Sequence, residues 1–531
     1  MKYIVGIDLG TTNSTVTVGN EKGELISIKN RYNDEITPSA VYFEKKKGCV
    51  LVGKEAKEKS SSDPNNLVMF VKREMGLPKD KVRKDDDDEY HPYKFWNKIF
   101  SPQQISALIL KQLKEDTEKQ LGCSVSDVII TCPAYFGDKE KNATKEAGKI
   151  AGFNVKDIIP EPTAAAYSYA EKSIKDKETL LVFDLGGGTF DVTIMKIENG
   201  SAGKVVDVVA TDGSFHLGGM DWDAYIESYI VEQFDEHFDS HLDYEETPER
   251  DIAYGQLKLD VENAKKELFK EGVSSVNVSL SYGGQTHIEE LTRKKFSRIT
   301  QKWTNQCRTY CENVLKRASL SWADIDTILM VGSMSNCTSI QDELRNWCQK
   351  DINFGVINPK LCVSHGAALK GCIDNKWFQN NQNTETKFDA SIPLVSGVLP
   401  ASIGIQGITA KGPQVRFLLN RDQKYPCKSE TKSWPLRDYS IDNLEVLIME
   451  GESTNPAECS LLGKAIVPIN GKMTSGDKLD VTLSVDSSGI LQIEAKNTTK
   501  DIYLMAEIKR EDAISEEEIN NLKEELDDFT L

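Results

Sequence analysis

The pattern of apolar and polar positions changes character twice along the chain. Up to about residue 377, short β-rich apolar runs alternate with amphipathic helical stretches. Tyr3 to Ile7 reads as a strand, and strand-like Val128 to Thr131 is followed by a helical pattern over Asp138 to Ala151. Strands interleaved with helices predict an α/β unit over residues 1–377. Residues 378–389 (FQNNQNTETKFD) have little to bury, so a connector is expected over 378–396. Beyond it the period falls to two. Val481, Leu483 and Val485 alternate with polar residues, Asp486 to Gly489 turns the chain, and Leu491, Ile493 and Ala495 alternate back. This is a hairpin, and it predicts an all-β unit over 397–507. A last change comes near the end, where Ser515 stands three residues before Glu518 and Ile519, Leu522 and Leu526 follow at helical intervals. One capped amphipathic helix is expected within 508–531.

Composition narrows the classes. At about 150 residues per domain, 531 residues give a prior of three or four domains, and 39% apolar residues with 36 glycines describe a folded chain. A formal charge of −18 is the wrong sign for a main partner that is nucleic acid or an anionic membrane. No apolar stretch approaches the roughly 20 residues that span a bilayer, and Met1-Lys2 runs straight into the first strand, leaving no room for a signal sequence. The eleven cysteines are an odd number without CxxC pairs, as expected in a reducing cytoplasm. Cys307 and Cys311, like His237 and His241, are one helical turn apart, but neither has a second pair at zinc-finger spacing. The acidic run Asp85 to Glu89 reads as a solvated loop.

The chemistry lies in two segments with one grammar: IVGIDLGTTN around Asp8 and LVFDLGGGTFD around Asp184, 176 residues later. In each, a strand ends in Asp, a Gly/Thr turn follows, and a second strand returns (Ser14 to Val18; Asp191 to Met195). Glycines let backbone amides approach an anion, and threonine hydroxyls add donors. Carboxylates beside a polyphosphate repel it unless a hard cation such as Mg²⁺ intervenes. The dinucleotide alternative fails, because Asp191 stands where a small residue is needed and the turn leads into a strand; no Walker A motif occurs.

Together with VIITCPAYFGDKEKNATKEAG, IIPEPTAAAYSYA and HLGGMDWD, these segments resemble the DnaK or seventy-kilodalton heat-shock chaperone family from Met1 to about Glu525. The resemblance implies an actin-like ATPase of two lobes (a duplicated ribonuclease H-like fold), then a peptide-binding β-sandwich and a truncated helical lid. Carried over, Gly10, Thr11, Thr12 and Asn13 form the first phosphate loop and Gly186, Gly187, Gly188 and Thr189 the second, with Gly218 and Gly219 beside them. Asp8 and Asp184 hold Mg²⁺ through water, Lys72 reaches the γ-phosphate, and Glu161 lies near the attacking water and the metal. Asp191 is an acceptor and, with Thr189, a potassium ligand. Phosphoryl transfer needs positioning and charge more than covalent chemistry. The resemblance also implies ATP or ADP as ligand, unfolded or extended polypeptides as clients, a J-domain co-chaperone, a nucleotide exchange factor, and a monomer.

The base side departs from the family pattern. The family's loop of glycines, hydroxyl residues and an arginine is here Gly332-Ser333-Met334-Ser335-Asn336. On the facing helix Glu262 and Lys265 are kept, while Lys266 stands in place of a stacking arginine and Phe269 in place of a serine. Lysine does not stack as a guanidinium does; Phe269 and Met334 can rebuild an apolar slot or plug an empty cleft. Leu394 and its neighbours depart from the family's leucine-rich connector, although Pro133 and the basic Lys141 are kept. In the sandwich, Ile405, Ile408, Trp434, Leu444 and Val446 fall near the family's peptide cleft, with Arg437 in place of a small residue. Two rivals remain: a hydrolysis-deficient adaptor regulating another chaperone, and a small-molecule kinase on the same scaffold.

Overall fold

The computed structural model describes residues 1–82, 89–171, 177–200, 203–242, 247–349, 353–354, 357–377, 394–410, 412–435, 443–468, 477–486, 489–497, 502–504, 507–509 and 514–531. The acidic run at 85–88, Arg437 and most of the expected connector lie outside them.

Two sheets repeat one plan. In the first, Tyr3–Asp8 pairs antiparallel with Asn13–Asn20 on one side and parallel with Asp127–Cys132 on the other, which in turn runs parallel to Asn154–Pro160. In the second, Lys177–Leu185 pairs antiparallel with Phe190–Gly200 and parallel with Thr327–Val331, which runs parallel to Asn353–Phe354. Each Asp-led turn of the sequence is thus the bend between a central strand and its antiparallel partner. Full burial explains why the central strands read as continuous apolar runs: Ile4, Val5 and Ile7, and Leu180 to Phe183, are at most 1% exposed.

The helices Glu161–Ala170 and Cys362–Asp374 pack together between the sheets. They can approach because Gly366 has no side chain; a Cβ there would lie 1.8 Å from the Ala164 carbonyl oxygen. Gly6 of the first strand meets the same helix, where a Cβ would lie 2.3 Å from the Ala368 nitrogen.

The carboxy-terminal half contains the expected sandwich. One five-stranded sheet runs Gly412–Leu419, Ile403–Thr409, Asn443–Glu450, Ser460–Pro468 and Glu507–Lys509, and it packs on a sheet built around Lys478–Val485 and Leu491–Asn497. The expected hairpin closes with Val485 opposite Leu491, and Val481, Leu483, Val485, Leu491 and Ala495 enter the common core.

Two junctions differ from the expected string of separate units. Leu394–Val398, at the end of the expected connector, is a strand: it extends the second lobe's sheet by pairing in parallel with Gly203–Ser214, and its other edge pairs with Lys424–Tyr425 of the sandwich. Arg317 of the second lobe binds Asp212 (2.9 Å) and Asp422 of the sandwich (2.8 Å), while Arg421 binds Asp212 at 3.0 Å. Lys141 lies 5.9 Å from the ring of Tyr425, whose strand pairs with Gly397. The helix Glu516–Asp527, capped by Ser515 through the Glu518 amide (3.1 Å), lies on the first lobe instead of over the sandwich. Ile519 and Leu526 join the first lobe's core, and Phe529 packs edge-on against Trp96 at 5.6 Å. Lys98, Lys111 and Lys149 reach its acidic residues, and Thr530 exchanges backbone hydrogen bonds with Gly48 and Val50 (2.9 and 3.0 Å).

Candidate functional site

The two turns meet. A Cβ at Gly187 would lie 1.5 Å from the Thr12 hydroxyl oxygen, and one at Gly188 would lie 2.3 Å from a Thr11 methyl carbon, so glycine is required on the second loop for the loops to face each other. Beside them opens a 760 Å³ cavity lined by Asp8, Gly10, Thr11, Thr12, Asn13, Lys72, Glu161, Asp184, Gly186, Gly187 and Thr189 at one end. Its other end is lined by Lys265, Lys266, Phe269, Gly332, Ser333, Met334 and Asn336. Phe269 and Met334 therefore border open space and do not fill it.

Gly188, Gly218, Gly219, Asp191 and Glu262 do not line the cavity. The glycines brace the second loop from behind: the Gly219 amide donates to the Gly186 carbonyl (3.0 Å), the Met220 amide to that of Gly187 (2.7 Å), and a Cβ on Gly218 would strike Gly188. The Gly188 carbonyl accepts from Arg73 (2.7 Å), whose guanidinium also grips Asp221 at 2.5 Å. Arg73 carries no signal of its own beyond standing next to Lys72, and Asp221 none beyond lying inside the HLGGMDWD segment. Glu262 is bound to Lys57 of the first lobe (2.5 Å) and to Lys266 (2.6 Å). Burial alone would raise its pKa, but the two lysines pull it down to about 2. Asn30, Tyr32 and Gln341 also line the cavity and were not anticipated.

Electrostatics at the phosphate end are dominated by uncompensated carboxylates. Lys72, 4% exposed, is ion-paired with Glu161, 6% exposed. Burial alone would lower the lysine's pKa, but Glu161 and Asp8 raise it and keep it charged. Burial and the Glu161 charge push Asp8 up to about 7. Burial, Glu161 and Asp8 hold Asp184 well above the usual range, and burial, Glu161 and Asp184 do the same for Asp191. One lysine thus faces four carboxylates, a cluster that stays ionised when a cation is added. Asp191 accepts from the Ala134 amide (2.9 Å) through one oxygen and leaves the other buried without a hydrogen bond; the Thr11 and Thr12 hydroxyls are likewise buried and unbonded. Buried polar atoms without partners are costly unless a ligand completes them. The donor set therefore suits a hard cation and a polyphosphate. Among the described residues, no group of three metal-ligating side chains stands ready to bind an ion directly.

At the base end, Gly332 takes a φ of +87° where the strand Thr327–Val331 gives way to a short 3-10 turn; a Cβ there would strike the Leu185 carbonyl and the Asp184 carboxylate. The Lys265 ammonium is bonded to Asp223 (2.6 Å) and the Gly219 carbonyl (2.9 Å).

The sandwich candidates divide. Ile405 and Val446, 4% and 6% exposed, point into the core, because the two-residue period places them on the inner face. Trp434 and Leu444 are half-buried against that core, and Ile408 is 70% exposed.

A duplicated Asp-led fold closing on a polyphosphate cleft, followed by a β-sandwich, defines the actin-like ATPases that carry a peptide-binding module. The family profile described as "Hsp70 protein" matches residues 4–530. The chain is 35% identical over 535 aligned residues to the chaperone protein DnaK of Thermosipho africanus (strain TCF52B), covering 99% of this chain and 83% of that one. It is 35% identical over 529 residues to the chaperone protein DnaK of Thermosipho melanesiensis (strain DSM 12029 / CIP 104789 / BI429), with the same coverage. The chain belongs to the Hsp70 family: it is an ATPase and an ATP-dependent chaperone, and the hydrolysis-deficient adaptor is not favoured.

Proposed function

We propose that the cleft binds Mg²⁺-ATP with its phosphates between the two loops and hydrolyses it slowly to control peptide holding by the sandwich. The observation that carries this reading is the face-to-face packing of Thr11 and Thr12 on Gly188 and Gly187 beside an open cavity, with buried hydroxyls left for a ligand. Asp8 and Asp184 would hold Mg²⁺ through water, and Asp191 with Thr189 a potassium ion. Bound there, the cations neutralise phosphate charge. Lys72, held charged by Glu161 and Asp8, supplies a fixed positive group to the terminal phosphate, and Glu161 orients the water that attacks it. Loop amides of Gly10 to Asn13 and Gly186 to Thr189 fix the phosphate chain.

Unfolded or extended polypeptide would bind at the sandwich surface carrying Ile408 and Trp434 through main-chain pairing and one apolar contact. A J-domain co-chaperone and a nucleotide exchange factor complete the cycle, and the protein acts as a monomer. Eleven cysteines without a disulfide fit a cytoplasmic location, and among the described residues no helix is long and apolar enough to cross a membrane.

The test is calorimetric titration with Mg²⁺-ATP and Mg²⁺-ADP, followed by single-turnover hydrolysis of the wild type and Lys72→Ala. Binding with turnover that Lys72→Ala abolishes supports the reading. Binding without turnover in the wild type removes the hydrolytic cycle, and no binding at millimolar ATP removes the nucleotide role.

A further inference from the structure

The turn that carries Lys72 also ties the first lobe to the opposite wall of the cleft. Val71–Glu74 is one short 3-10 turn, entered through Phe70 at a φ of +63°, a conformation that residues with a side chain seldom take. Val71 and Met75 anchor it in the first lobe's core. Its two basic residues part company: Lys72 pairs with Glu161, whereas Arg73 crosses to the second lobe.

There the Arg73 guanidinium makes two contacts. Its Nε donates to the Gly188 carbonyl (2.7 Å), and an Nη donates to the Asp221 carboxylate (2.5 Å). Asp221 is itself fixed, because the same carboxylate oxygen accepts from the Gly218 amide (2.7 Å) at the start of the helix Gly219–Phe238. At that helix end the Gly219 and Met220 amides hold the Gly186 and Gly187 carbonyls (3.0 and 2.7 Å). Arg73 therefore meets the second phosphate loop directly at Gly188 and, through Asp221, at the helix end that braces the rest of it. The ion pair is largely buried, at 12% and 17% side-chain exposure, so salt screens it little.

From this we infer that Arg73 is a positioning residue for hydrolysis: it sets where the second phosphate loop stands relative to Lys72, one residue away on the same turn. The inference rests on the proposed nucleotide role and adds to it a residue that does not line the cavity. A displacement of about 1 Å between reacting groups can cost about 10²-fold in rate. Arginine suits the task, because its rigid fork serves a carbonyl and a carboxylate together, whereas a lysine ammonium is a single point of charge.

Single-turnover hydrolysis at saturating Mg²⁺-ATP tests it, with calorimetric titration of Mg²⁺-ADP, on the full chain and its Arg73→Ala, Asp221→Asn and doubly substituted variants. The single-turnover rate reports only on molecules that hold nucleotide, so a loss of folded protein does not lower it. Arg73→Ala should slow it by about 10- to 100-fold, while Mg²⁺-ADP affinity changes by less than about fivefold. The double variant should be no slower than the slower single one, since both substitutions break one connection. A wild-type rate in Arg73→Ala, a matching loss of Mg²⁺-ADP affinity, or losses that multiply in the double variant overturn the inference and leave the ATPase reading intact. A wild type that binds no nucleotide removes both.

Discussion

The two ends of the cleft are built on opposite principles. At the phosphate end the contacts are made by backbone: glycines stripped of side chains let two loops touch, and the charged groups around them are buried and short of partners. At the base end the contacts are made by side chains that have already found one another, as Lys266 has Glu262 and Lys265 has Asp223. A site of the first kind is unsatisfied until its ligand arrives, so it supplies binding energy and chemistry. The second kind supplies shape. Substitutions should therefore be felt very unequally at the two ends.

The largest effect should come from Lys72→Ala, which removes the buried cation facing the carboxylates of Asp8, Glu161, Asp184 and Asp191 and should lower single-turnover hydrolysis by about 10²–10³. A loss below tenfold would show that the phosphate end does not depend on this charge. Next, Gly187→Ala forces a methyl against the Thr12 hydroxyl. Overpacking of about 1–3 kcal/mol predicts roughly five- to 150-fold weaker nucleotide binding in calorimetry; unchanged affinity would mean the loops do not need their contact. Phe269→Ala, at the other end, should weaken ATP by about two- to tenfold, since one aromatic stacking contact is worth about 0.5–1.5 kcal/mol. A loss matching that of Gly187→Ala would erase the contrast. The smallest effect concerns pH. Glu262 is depressed to about 2, so its own charge in the pair with Lys57 is complete above the ordinary carboxylate pKa and is lost as pH falls through the folded value, while the alkaline limit of the pair is set by Lys57, which burial holds below its ordinary value. Nucleotide release measured in stopped flow should be flat from pH 8 to 5 in its Glu262-dependent part. A Glu262→Gln variant that changes the slope near neutrality would contradict this.

How much of this could be read in advance follows the same division. The phosphate loops are local: Asp8 to Asn13 and Asp184 to Thr189 carry their geometry in consecutive residues, and glycines placed for close approach leave a signature that spacing reveals. So does the hairpin of Val481 to Ala495, whose two-residue period is its fold. Contacts between distant segments left no such mark. Nothing in the run around Arg73 shows that it would meet Asp221, nor does anything near Lys57 point to Glu262. The period of the sandwich marked Ile405 and Val446 as apolar and alternating, but the same pattern serves a peptide cleft and a core, and the structure puts both in the core. The terminal helix was legible as a helix from Ser515, Ile519 and Leu526, while its resting place on the first lobe depends on the lysines at 98, 111 and 149, far away in sequence.

That resting place has a consequence for synthesis. The aromatic face of Phe43, Phe95, Trp96 and Phe100 emerges from a ribosome early, yet Phe529, which covers part of it, is translated more than 400 residues later. At about 5–20 residues per second, the first lobe waits roughly 20–90 s for its last piece. We predict that nascent chains stalled before residue 514 are cut by protease within the first lobe faster than completed chains. Equal cutting would show that the lobe matures without its late strap.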